Sequence, residues 1–92
     1  MKLTMADVKR RNKEAGYFFF SPGTMKFFAC RIESELIRGK YFITSEKAGF
    51  ETAKRGYNVR VFDSETGAVA NAGQFNGFKT KEEAKEYIKE LA

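Results

Sequence analysis

Histidine and tryptophan are absent from these 92 residues, cysteine and proline occur once each, and no apolar run exceeds four residues. Each gap closes a class of function. Without histidine neither a Ser-His-Asp nor a Cys-His arrangement can be assembled. Zinc would have to be held by a lone cysteine and carboxylates. Cys30 has no partner for a disulfide or for the paired spacing of a structural metal site, and it reads as a small packed hydrophobe. Apolar runs this short fall far below the ~18 residues that span a bilayer. Nothing resembles a signal peptide, so the expected compartment is cytoplasmic and no membrane partner is expected. Gly39-Lys40 is followed by Tyr41 and lacks the upstream glycine of a phosphate-binding loop, and no Gly-x-Gly-x-x-Gly follows a strand. Glu33 with Glu35 reads as the solvent face of a strand and Glu82 with Glu83 as part of a helix cap, rather than as acid–base pairs. The expectation is a protein that is not an enzyme and uses no cofactor and no metal.

What is present describes one small folded unit. Hydrophobic residues make up 42% and charged residues 32%, ordinary for a chain that folds alone, and the length suits a single domain over residues 1–92. The net charge is +5, unevenly spread. Residues 1–14 carry five positive and two negative charges and residues 26–60 carry eight and four, whereas 61–78 carry only Asp63 and Glu65 and 79–92 balance four against four. Solvation explains part of such a bias, and attraction to an acidic or polyanionic partner is its functional reading.

Capping and periodicity outline the elements. Thr4 with Asp7 reads as an N-cap, Leu3 can staple onto Val8, and Met5, Val8, Asn12 and Ala15 form a thin stripe before the helix stop at Gly16. Ser21-Pro22 repeats the start signal for a short helix from Pro22 to about Phe28, with Met25 and Phe28 toward the core. From Ala29 the period becomes two. Residues 30–36, 41–45, 57–62 and 68–75 read as four strands, with turns at 38–40 and 63–67 and an exposed loop at 46–56. Thr80 and Glu83 open a last helix whose Ala84, Tyr87, Ile88 and Leu91 share one face. The fold class is α+β: a four-stranded antiparallel meander with an N-terminal helix, a short second helix and a C-terminal helix, the helices covering one face.

Candidate binding residues follow from this layout. Lys9, Arg10, Arg11 and Lys13 on the first helix can contact phosphates without reading bases. If Tyr57, Val59 and Val61 face the helices, then Asn58, Arg60 and Phe62 point the other way and Phe42 and Thr44 join them. Rings interleaved with arginine on an open sheet face are what single-stranded nucleic acid stacks on. A face covered by the first helix would instead bury Phe42 and Phe62 in a second core. The aromatic block from Tyr17 to Phe28 reads chiefly as core, while Phe27, off the core stripe, and Phe50, in a polar loop, are candidate interface anchors.

The blocks Arg-Asn-Lys-Glu-Ala-Gly at 11–16, Phe-Phe-Ser-Pro-Gly-Thr-Met-Lys-Phe-Phe at 19–28, Tyr-Phe-Ile-Thr-Ser-Glu at 41–46 and Phe-Lys-Thr-Lys-Glu-Glu-Ala at 78–84 resemble small uncharacterised proteins carried by bacteriophages, plasmids and other mobile elements. Relatives tend to carry a polar residue where this chain has Cys30. The resemblance implies an accessory role and supplies no functional residues. Two readings follow. In the first, the protein is non-catalytic and binds and inhibits or modulates a host protein or nucleoprotein complex, an anti-CRISPR inhibitor being a concrete case. The alternative is direct nucleic-acid binding through the basic helix and the aromatic sheet face. The oligomeric state is not written in the sequence.

Overall fold

A computed structural model of the chain describes residues 3–27, 30–47, 55–73 and 77–91, the Phe27 side chain excepted. Capping places the helices. The Thr4 hydroxyl accepts the Asp7 N–H and the Asp7 carboxylate accepts the Thr4 N–H, opening α1 (Met5–Glu14). Ser21 caps α2 (Pro22–Phe27) by accepting the Thr24 N–H, with Pro22 in the first helical position. Thr80 caps α3 (Lys81–Leu91) through the Glu83 N–H, and the Glu83 carboxylate returns its bond to the N–H of Lys79 rather than of Thr80 itself.

Strands β1 (Arg31–Ile32), β2 (Tyr41–Glu46), β3 (Gly56–Phe62) and β4 (Val69–Asn71) form one antiparallel sheet in that order, giving an α+β fold. The β2–β3 ladder is its spine, running from Tyr41 opposite Val61 to Glu46 opposite Gly56. The turn before β2 holds Arg38 and Gly39 at φ of 56° and 73°, the left-handed region that tight reversals demand. The first strand is shorter than its alternation predicts. The hydroxyl of Ser34, rather than a backbone carbonyl, accepts the Ile43 N–H at 2.9 Å, and the chain bulges between Ile32 and Ile37. The fourth strand is shorter too, and the chain meets β3 again where Phe78 pairs with Tyr57.

Period-two alternation sends β2 and β3 side chains to opposite faces, and each face has its own core. Tyr41, Ile43 and Val59 pack with Ala84 and Ile88 of α3. Phe42 and Phe62 pack with Val8 of α1, joined by Leu3, Phe19 and Phe20. The expectation of helices on one face is thereby corrected: α1 and α3 sandwich the sheet. Glu46, expected in an exposed loop, ends β2 fully buried.

Candidate functional site

The end of α1 shapes the site. Gly16 adopts φ 89°, its N–H bonds to the Lys13 carbonyl and the Tyr17 N–H bonds to the Asn12 carbonyl, a Schellman stop that folds the chain back along the helix. Four rings follow in succession and divide by burial. Phe19 and Phe20 stack edge to face at 4.8 Å and turn inward to Phe42, 6.3 and 5.9 Å away. Tyr17 and Phe18 stay outside, 46% and 76% exposed. A groove of about 310 Å³ opens between helix and loop, with Lys9, Asn12 and Lys13 on one side and Tyr17, Phe18, Phe20, Ser21 and Pro22 on the other.

Apolar packing and a hydrogen bond to the 63–67 turn hold α1 in place beneath this groove. Val8 fills the second core, and the buried Asn12 amide donates to the Gly67 carbonyl at 2.8 Å. Gly67 has φ 79°, and a side-chain carbon there would lie 2.9 Å from both the Ala15 Cβ and the Arg11 carbonyl oxygen. Only glycine lets the 63–67 turn approach the helix so closely. At the other end of α1, hydrogen bonds from the Thr4 N–H and hydroxyl hold the Asp7 carboxyl below its usual range against the opposing effect of burial, with a lesser contribution from the Arg10 charge.

The four cations of α1 do not act as one patch. At 100° per residue, Lys9 and Lys13 fall on the groove flank of the Val8–Asn12 stripe. Arg10 points outward and pairs with Asp7 at 3.1 Å and Glu14 at 3.8 Å. Arg11 falls on the flank where Ala15 meets Gly67. Among the described residues, no carboxylate lies within ion-pair distance of Lys9, Arg11 or Lys13.

Of the two readings of the sheet face, the buried second core is the one found, and the face is closed to bases. Phe42 and Phe62 are 0% and 3% exposed under α1 and the Phe19–Phe20 pair, so no base can reach them. Arg60 is likewise corrected from partner contact to structural ion. Its guanidinium bonds to the Glu46 carboxylate at 2.8 Å and the Thr44 hydroxyl at 3.1 Å and lies 5.1 Å from the centre of the Phe19 ring. The Thr44 hydroxyl, the Asn58 amide and the Cys30 thiol also donate to Glu46. Among the described residues no buried side-chain nitrogen or oxygen lacks a partner. Burial first, then the Glu46 charge, pushes the Cys30 thiol from 9.0 up to about 12, so it is a neutral donor and a poor nucleophile. The Phe27 side chain and Phe50 lie outside what the structure describes.

On α3 the charges are mixed, with Lys89 paired to Glu86 at 3.1 Å. Glu82, Glu83, Glu86 and Glu90 line an open groove of about 370 Å³ on α3 beside Phe78 and Tyr87. Among the described residues no cluster of three or more potential metal ligands occurs, and no helix is long and apolar enough to cross a membrane.

Sequence reasoning missed Tyr17 and Phe18 as exposed rings. The signal was the helix stop at Gly16: with Ser21 already starting α2, four successive side chains on a short connection cannot all turn inward. The profile of a family of unknown function (DUF7447) matches residues 4–89, and the chain belongs to that family. It matches no curated protein and no solved structure.

Proposed function

We propose, with membership of this family as the premise, that the protein is a non-catalytic binding protein whose contact surface is the groove between α1 and the Tyr17–Phe18 loop, and that its partner presents negative charge there. One observation carries the reading: two exposed rings stand across a groove from Lys9 and Lys13, whose ammonium groups pair with no described carboxylate. Large exposed rings beside cations make the anchors of many recognition surfaces. The resemblance to proteins of mobile elements extends the proposal: the partner is a host protein or nucleoprotein complex whose action the protein inhibits or modulates, an anti-CRISPR inhibitor being one form. The net charge of +5 disfavours an inhibitor that mimics DNA.

The test is capture of host partners by the tagged protein, with and without nuclease treatment, beside a K9E/K13E/F18A variant. All three side chains are exposed, so the variant keeps its fold, which circular dichroism verifies. The expected result is a partner held by the native chain and lost by the variant. Equal capture by both would move the contact surface away from this groove.

A further inference from the structure

Resting on that reading of the groove, we infer that the anionic partner surface is an unpaired nucleic-acid strand, bound without sequence preference, with bases stacked on Phe18 and Tyr17 and phosphates following Lys9 and Lys13. The ring geometry comes first. Phe18 stands 76% exposed next to Tyr17, so an aromatic face is open to solvent rather than seated in a pocket. Bases in a duplex already stack on one another, whereas an unpaired strand can offer a base face to such rings.

The kind of cation comes second. The groove flank carries lysines, compact point charges that follow phosphates at many angles. The arginines, whose fork suits paired recognition of a carboxylate, are engaged or elsewhere: Arg10 with Asp7 and Glu14, Arg60 with Glu46, and Arg11 on the far flank. Lys9 and Lys13 stand about 6 Å apart along the helix axis, so both can follow one backbone.

The third observation concerns sequence reading. Besides the Tyr17 hydroxyl, the uncharged polar side chains lining the groove already have structural work. The Asn12 amide donates to the Gly67 carbonyl, and the Ser21 hydroxyl accepts the Thr24 N–H and bonds to its hydroxyl. Two rings, one phenolic hydroxyl and two ammonium groups remain, and stacking and point charge carry little sequence preference.

The experiment is fluorescence anisotropy with labelled oligothymidylate, oligoadenylate, the corresponding duplex and an oligoglutamate peptide, each at low and physiological salt. Both single strands are expected to bind, more tightly than the duplex or the peptide. Replacing Lys9 and Lys13 by alanine should lower the slope of log affinity against log salt by about 1.4, at ~0.7 per single-strand phosphate. Phe18→Ala should weaken strand binding about 5- to 150-fold, the stacking range for one base. Phe18→Trp should retain binding, and Phe18→Leu, apolar without an aromatic face, should lose it. Leucine binding like phenylalanine, or duplex binding like single strand, overturns the inference. Oligoglutamate binding that depends on Phe18, without strand binding, overturns it while leaving the anionic-partner reading intact. A nuclease-resistant partner lost by the K9E/K13E/F18A variant, together with absent strand binding, does the same.

Discussion

The two faces of the sheet are built to different rules. On the α3 face an apolar layer of Tyr41, Ile43, Val59, Ala84 and Ile88 runs beneath the helix, and its polar end is the buried Ser45, whose hydroxyl donates to Glu33 and accepts from Arg55. On the α1 face the apolar part ends at Phe42 and Phe62, and the strands continue into Thr44, Glu46, Asn58 and Arg60, joined by one hydrogen-bond network. An apolar layer stabilises without directional demands. A buried ion network adds little net stability, yet breaking it is costly, because each member left behind is a desolvated polar group. The α3 face thus secures the fold by area, and the α1 face fixes one arrangement of helix, aromatic loop and sheet. The groove lies on that second face.

The sharpest way to break the comparison is to remove one member of the ion pair. Glu46→Ala should cost about 3–5 kcal/mol because Arg60, 11% exposed, loses its carboxylate, whereas the double replacement of Glu46 by leucine and Arg60 by methionine should cost less than either single change. Denaturant unfolding checks it. A cost below about 1 kcal/mol for the single change would show that water reaches the network.

On the other face, Ile88→Ala should cost about 2–5 kcal/mol through lost burial and the cavity left behind, with strand affinity per folded molecule unchanged. Gly67→Ala separates the regions differently. The left-handed strain is worth roughly 1–2 kcal/mol, and the displaced turn should also loosen α1 and weaken groove binding. Stability loss with undisturbed binding would mean that the helix does not need the turn. Thr80→Ala should cost about 0.5–2 kcal/mol through the lost α3 cap, and binding should not respond.

The effect of pH on Cys30 is confined to alkaline solution. Because the folded thiol is raised to about 12 from 9.0, its contribution to stability is present below pH 9 and is lost as pH rises from 9 toward 12. At pH 8, alkylation of the native protein should be about a hundredfold or more slower than of the urea-unfolded chain, since the thiolate is the reactive form. Equal rates would place the thiol in contact with water.

The capping residues Thr4, Ser21 and Thr80, the stop at Gly16 and the alternation in β2 and β3 were legible in the sequence because each acts within a few residues of itself. The alternation even placed Asn58, Arg60, Phe62, Phe42 and Thr44 on one face. It could not say whether that face was open, since this depends on where a helix some thirty residues earlier comes to rest. The same dependence set Arg60 in an ion pair with Glu46, closed off the sheet rings and left Tyr17 and Phe18 in water. The break in β1 escaped for a related reason. Ser34 matches the alternation, and only the approach of the Ile43 N–H shows its hydroxyl taking a carbonyl's place.

By itself the sequence determined the order and type of the elements, the exclusion of histidine-based chemistry and the excess of positive charge, all of which follow from local sterics, periodicity and counting. The tertiary structure alone decided which rings remain in water, which cations keep free charge and which glycine must be glycine. Those outcomes depend on packing between segments distant in the chain, where one helix seated on one sheet face buries Phe42 and Phe62, leaves Phe18 exposed and sets Lys9 and Lys13 beside it.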